Sequence, residues 1–202
     1  MMPWLTRMLN CARRRAFVRA WVSFPLMFVF VFGSCPNALA EDRVNDESLL
    51  KAAFIFNFAQ FTDWPESGGR GEPLSLCIAG TDALANALGR LGGKIVKDQV
   101  LLIQPIESVR SVKNCSMLYV ASSEAATQSA WLKPISGQAV LSISELPGFA
   151  EKGGIFELYR DHARVRFMVN LAVARRAGLK ISPNLLNLAT IVGADNAANK
   201  GP

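Results

Sequence analysis

Short apolar runs that alternate with helical segments constrain the fold of this 202-residue chain more than any other feature. Four runs of this kind are Leu74–Ala79, Val100–Ile103, Met117–Ala121 and Ala139–Ile143. Helices that begin at capping residues, Thr81 or Asp82 and Ser122 or Ser123, are expected between them. Strands that alternate with helices predict a parallel sheet covered by helices.

The C-terminal part of the pattern predicts an antiparallel hairpin. Ile155–Tyr159 and Ala163–Val169 flank a turn at 160–162, and the second run alternates between apolar residues and arginines. We therefore expect an α/β fold, a small three-layer domain with a mostly parallel sheet, an antiparallel C-terminal hairpin and flanking helices.

The end of the chain predicts one more helix and a tail. Ser182-Pro183 is an N-cap followed by Pro at the first helical position. The expected apolar side of this helix is Leu185, Leu188, Ala189 and Val192. The predicted domain spans residues 41–192, and residues 193–202 are expected to be disordered.

The first helix of the domain, Glu47–Asp63, is unusually apolar. Its expected core-facing stripe consists of residues at helical spacing: Leu50, Phe54, Phe58 and Phe61. Ile55 and Phe56 lie off that stripe, although a surface helix needs only one apolar side. The helix is therefore either enclosed on several sides or shows apolar surface to a partner, which makes Ile55 and Phe56 candidate partner-binding residues.

Three arginines are further candidates for partner binding. Arg164 and Arg166 share one face of the predicted last strand, and Arg175 lies on the helix that follows. Arginine is usually solvated at the surface. The alternative is contact with an anion or an acidic partner.

No motif indicates catalysis or a cofactor. The sequence lacks the nucleotide-binding glycine patterns and the G-x-S-x-G motif. Asp82 follows a strand, where phosphates can bind a helix N-terminus, but its carboxylate would repel an anion, so only a cap is expected. His162, the single histidine, lies at a predicted turn, and Glu157 and Asp161 on the hairpin would point into water. With one histidine and no C-x-x-C we expect no metal site, and we expect no cofactor and no enzyme.

The N-terminus has the three parts of a secretory signal. Five arginines lie in the first 20 residues, Trp21–Phe32 is apolar, and Ala38-Leu39-Ala40 fits a signal-peptidase site. The apolar run is shorter than the roughly 20 residues a membrane span needs. We expect cleavage after Ala40 and an exported protein that is not itself membrane-embedded. Lipidation of Cys35 is not favoured, because Phe32-Gly33-Ser34 before it matches poorly.

Removal of residues 1–40 changes both the charge and the cysteine count. It leaves 17 basic against 16 acidic residues, so no basic patch suggests nucleic acid. Cys77 and Cys115 remain, and an even pair in an exported domain predicts a disulfide. Two buried thiols are the alternative, since both residues lie beside apolar runs.

Five blocks of sequence follow one another in a recognisable order. They are KAAFIFNFAQFTDWP (Lys51–Pro65), LCIAG (Leu76–Gly80), CSMLYVASSE (Cys115–Glu124), VLSISELPGFAEKGGIF (Val140–Phe156) and VRFMVNLAVARRAGLKISPNLLNLA (Val165–Ala189). Together they resemble the YfiR-like family of periplasmic proteins, over residues 49–192.

The resemblance implies a regulatory binding protein. YfiR-like proteins repress an inner-membrane diguanylate cyclase of the YfiN type by binding its periplasmic region, which lowers cyclic di-GMP and biofilm formation. The resemblance also implies homodimers and disulfide-based redox sensing, with Cys77 and Cys115 where the family pattern places one bridge. A second cysteine pair found in some members is absent here, so we expect a structural bridge. The alternative function is a periplasmic small-molecule sensor that serves another membrane receptor, such as a histidine kinase.

Overall fold

The structure, a computed structural model, describes residues 38–65 and 72–193, with side chains from Asp46 onward. The strands are Thr62–Asp63 (β1), Leu74–Ala79 (β2), Ile95–Val96 (β3), Gln99–Ile106 (β4), Met117–Val120 (β5), Leu141–Ser144 (β6), Phe156–Asp161 (β7), Arg164–Asn170 (β8), Lys180–Ile181 (β9) and Thr190–Val192 (β10). The α-helices are Ala38–Gln60 (α1), Ala83–Gly89 (α2), Gln128–Leu132 (α3), Leu171–Arg176 (α4) and Pro183–Leu186 (α5). Short 3₁₀ helices span Ser111–Asn114, Ser122–Glu124 and Lys133–Ile135.

Eight of these strands form one mixed sheet in the order β10-β8-β7-β6-β5-β2-β4-β3. Neighbours from β4 to β7 are parallel, whereas β8 is antiparallel to β7 and β3 is antiparallel to β4. The small strands β1 and β9 pair separately. The predicted α/β fold with a mostly parallel sheet and an antiparallel C-terminal hairpin is therefore confirmed.

Helices cover the sheet on both faces and create two apolar clusters. Residues of α1, α2, α4 and α5 belong to the larger cluster, whereas Trp131 and Leu132 of α3 belong to the smaller one on the other face. Phe58 of α1 stacks on Phe156 of β7 with ring centroids 4.1 Å apart, and Phe167 of β8 lies 4.9 Å from Phe58. These rings fix α1 against the C-terminal hairpin, since aromatic pairs add to the energy of burial.

The buried side of α1 differs from the predicted stripe. Its buried residues recur at helical spacing as Ser48, Ala52, Ile55, Phe58, Ala59 and, just beyond the helix, Thr62. Leu50 and Phe61, which were expected to face the core, are 51 % and 42 % exposed. The prediction for these two residues is wrong, because small residues let the helix approach the sheet along another side.

The C-terminal end also departs from the prediction. Ser182 caps α5 as expected, through its hydroxyl and the Asn184 N–H. The helix ends at Leu186, however, and Leu188 is 68 % exposed. Residues 190–192 form β10 instead, parallel to β8, because the open edge of β8 offers backbone partners.

Several predictions concern residues outside the described ranges. Most of the predicted signal, its Cys35 and the predicted tail beyond Gly193 belong to this part. α1 begins at Ala38, earlier than the expected start at Glu47. None of the helices described is both long and apolar enough to cross a membrane.

Candidate partner-binding surface

The outer side of α1 is the most unusual surface of the molecule. Leu49, Leu50, Ala53 and Phe61 are exposed on it, and Asn57 is the polar residue among them. A surface helix normally presents charged and polar residues to water. We call these five residues the outer stripe of α1; contiguous apolar exposure of this kind indicates an interaction surface.

The two α1 residues predicted to bind a partner lie differently from expectation. Ile55 is fully buried in the larger cluster, so its side chain has no surface to offer, and the prediction for it is corrected. Phe56 is half-buried and packs against the same cluster. The outer stripe was missed because Leu50 and Phe61 had been assigned to the core.

The predicted arginines do not form one site. Arg164 and Arg166 are exposed on the side of β8 turned away from α1, and Arg166 Nε lies 3.6 Å from Asp161 Oδ2. Arg175 is exposed on α4, beyond the other end of β8. The seven residues of β8 from Arg164 to Asn170 span about 20 Å, so Arg175 is remote from the other two.

An ionic network joins the middle of α1 to the sheet. The Lys51 ammonium donates to the carboxylates of Glu47, at 2.6 Å, and of Glu145, just after β6. Arg160 of β7 donates to the other oxygen of Glu47 at 2.9 Å. Burial lowers the pKa of Lys51, but the hydrogen bonds and charges of Glu145 and Glu47 outweigh it, so the net direction is upward. The hydrogen bond from Lys51 holds the pKa of Glu47 below its usual value.

A second polar cluster fills the place where a ligand would bind in many α/β domains. The strand order reverses between β2 and β5, and ligands of open sheets bind outside the carboxyl ends at such a point. Here Asp82 occupies it. Its Oδ1 accepts the Ala85 N–H at 2.7 Å, and its Oδ2 accepts the Ser122 N–H at 2.8 Å and the Tyr119 hydroxyl at 2.9 Å.

The loops around Asp82 also close against each other. The Thr81 N–H donates to Ser123 Oγ at 2.9 Å, and a Cβ on Gly80 would lie 2.3 Å from that oxygen. Burial, followed by the negative charges of Asp82 and Glu145, raises the pKa of Tyr119. The predicted helix cap is confirmed, and the reversal point is filled by the chain's own groups.

The remaining polar residues considered in the sequence, His162, Asp161 and Glu157, do not come together in one site. The His162 side chain is 96 % exposed at the hairpin turn and contacts Asp161. Glu157 was expected to point into water but is buried, because its carboxylate accepts the N–H groups of Gly148 and Ala150 at 3.1 and 3.0 Å. Glu157 thus anchors the loop before β7. Within the described ranges, no group of three or more potential metal ligands occurs.

Cys77 and Cys115 are joined by a disulfide. Both cysteines belong to the smaller cluster, which also contains Val112 and Leu118. The bond ties β2 to the segment just before β5, with a Cα–Cα distance of 5.8 Å. Of the two alternatives for this pair, the structure has the disulfide.

The chain is similar to a solved structure and to a family model. A solved structure described as a conserved domain protein from Vibrio cholerae O1 biovar El Tor str. N16961 is similar at 12 % sequence identity, with a TM-score of 0.48. The match covers 71 % of this chain and 59 % of that chain, so this chain spans less than two thirds of its length. The model of the YfiR/HmsC-like family matches residues 48–190. The chain therefore belongs to the YfiR/HmsC-like family, whose members are periplasmic regulators of diguanylate cyclase signalling.

Proposed function

We propose that this protein is exported by its N-terminal signal and represses an inner-membrane diguanylate cyclase of the YfiN type. It would bind the periplasmic region of the cyclase and thereby lower cyclic di-GMP and biofilm formation. Family membership over residues 48–190 supports the signalling context. The observation that carries binding is the outer stripe of α1, where leucine and phenylalanine face solvent.

In this proposal the protein represses the cyclase by binding to it, and repression needs no catalytic step. A two-state cyclase is biased by any protein that binds one of its states more tightly. The outer stripe supplies apolar area, and the ionic network of Lys51, Glu47 and Arg160 ties the middle of α1 to the sheet and holds the helix in place. Phe56, at the side of the helix, is proposed as an additional contact. Arg164 and Arg166, on the side of β8 turned away from α1, and Arg175 on α4 would serve separate contacts.

The most direct test replaces Leu50 with glutamate. Leu50 is exposed, so the fold should survive, whereas a charge in an apolar interface should weaken binding at least tenfold. Co-purification with the periplasmic region of the cyclase measures the effect. Leu102→Glu is the matched control, since Leu102 is 40 % exposed on β4 and faces away from α1. Phe56→Glu should also abolish co-purification, but it packs against the core and needs a parallel stability measurement.

Cellular cyclic di-GMP provides the second readout. Loss of the gene should raise it, and Leu50→Glu should reproduce that rise while Leu102→Glu does not. Unchanged cyclic di-GMP on deletion would contradict repression and favour a sensor serving another receptor, such as a histidine kinase. If Leu50→Glu instead breaks a homodimer and leaves binding to the cyclase intact, the outer stripe is a dimer interface and the proposed docking surface is wrong.

A further inference from the structure

A cavity of about 320 Å³ opens at the end of the sheet where β6 begins. It exists because β7 is staggered relative to β6. Only Ile143 and Ser144 of β6 pair with β7, so the first half of β6 has no neighbour on that side. The Ile155 N–H donates to Ser142 Oγ at 3.0 Å instead. The volume lies within the range of small-molecule sites.

The lining of this cavity combines an apolar floor with a basic rim. Leu132, Ile135 and Val173 contribute to the floor, and Lys133, Lys152 and Arg176 contribute the cations. No aspartate or glutamate of the described ranges lines it. A cleft bordered by one sign of charge concentrates ions of the opposite sign.

The cations at the rim also lack ionic partners of their own. Among the described residues, neither Lys133 nor Arg176 forms an ion pair, whereas Lys51, Arg160 and Arg166 all do. Lys152 Nζ lies 3.5 Å from the Pro147 carbonyl oxygen, a weak contact with a neutral group. Unpaired cations that converge on one cavity have their charge-assisted hydrogen bonds free for a ligand.

We propose that this cavity binds a small organic anion, a carboxylate or a phosphate monoester, whose apolar body contacts the floor while its charge lies between Lys133 and Arg176. Arg176 suits either group, because its planar guanidinium can donate two parallel hydrogen bonds. Binding at this cavity does not depend on the proposed partner. The cavity lies at the start of β6, whereas the Lys51 network contacts Glu145 just after the end of β6. A ligand in the cavity and a partner on the outer stripe near Leu50 can therefore bind at the same time.

Titration of the exported protein with phenyl phosphate and with benzoate tests this proposal, with phenol as the uncharged analogue. At least one anion should bind with millimolar or better affinity, and the tighter of the two identifies the charged group that the site prefers. Phenol should bind at least tenfold more weakly. Failure of both anions to bind at about 10 mM, close to the weakest affinity that a titration can measure usefully, would overturn the proposal, as would equal binding of phenol.

The chain offers a closely matched control for the site. Arg175 and Arg176 are adjacent and both exposed, but only Arg176 lines the cavity. Arg176→Gln and Lys133→Gln should each weaken anion binding at least tenfold, and Arg175→Gln should change it less than twofold. Equal loss in the Arg175 and Arg176 variants would indicate nonspecific attraction to the surface and contradict a defined site.

Discussion

The Tyr119 hydroxyl donates to the Asp82 carboxylate across 2.9 Å, at the point where the strand order of the sheet reverses. The same carboxylate caps α2 and holds the backbone of Ser122. Three donors thus converge on one side chain that occupies the usual ligand position of an open α/β sheet. In this region the usual position of a ligand is taken by a side chain that connects β2, β5 and α2.

Replacement of Asp82 by alanine should therefore be costly. It removes a helix cap, worth about 1 kcal/mol, and leaves the buried Tyr119 hydroxyl without its nearest partner, worth about 1 to 3 kcal/mol. We expect the free energy of unfolding to fall by about 2 to 4 kcal/mol in urea titration. Thr81→Ala, an exposed neighbour whose contact is made by its backbone, should change it by less than about 0.5 kcal/mol. Equal effects of the two substitutions would contradict this role of Asp82.

The Lys51 network should make stability depend on pH. The pKa of Glu47 is lower in the folded state, so its contribution is present above its ordinary value near 4.5 and is lost as the pH falls through the folded value. The pKa of Lys51 is raised, so its contribution is present below about 10.5 and is lost as the pH rises through the folded value.

Lys51→Gln should accordingly destabilise the protein at pH 7 by about 2 kcal/mol, because two partly buried carboxylates lose their shared cation. The difference from the wild type should shrink in acid, where Glu47 becomes protonated. Urea titrations between about pH 3 and about pH 7 measure this difference in the free energy of unfolding. A difference that stays constant over this range would rule out an ionic origin. Lys94→Gln, at an exposed position, is the control.

The strands show what the sequence can establish. Leu74–Ala79 was predicted to the residue because β2 is buried on both faces, which produces a continuous apolar run. β4 was expected to end at Ile103 but continues through Pro105 to Ile106. Proline is tolerated there because β3 pairs only with Gln99 and Val100, so the far part of β4 is an edge where no ladder hydrogen bond is lost.

The candidate surface was harder to predict, for two physical reasons. α1 is apolar on nearly every side, so periodicity could not choose between the side containing Leu50 and Phe61 and the side containing Ala52 and Ile55. The second side is the buried one, because its small residues allow α1 to pack closely against the sheet. The ionic network depends on a contact between Lys51 and Glu145, which are 94 residues apart in the sequence. A local sequence pattern cannot predict a contact over such a separation.

The disulfide should contribute strongly to stability. It closes a loop with a sequence separation of 38 residues, for which the chain-entropy model gives about 4 kcal/mol. Cys77→Ala/Cys115→Ala should lower the free energy of unfolding by roughly that amount in urea. The unreduced domain after signal removal should show no reactive thiol under denaturing conditions, and detection of two would contradict the bond.

The turn between β3 and β4 offers a stabilising substitution. Lys97 and Asp98 have φ values of 46° and 70°, the left-handed conformation that a two-residue hairpin turn requires and that glycine adopts most easily. Asp98→Gly should raise the free energy of unfolding by about 1 kcal/mol, since it relieves that strain. Lys97 should be kept, because its Nζ donates to the Thr62 carbonyl oxygen at 2.6 Å. Arg110→Gly is the matched control, because Arg110 is also exposed but its φ is −71°. Glycine at this position should lower the free energy of unfolding, since it gives the unfolded chain more conformational freedom. Urea titration of both variants should give shifts of opposite sign, and a shared sign would contradict strain at Asp98.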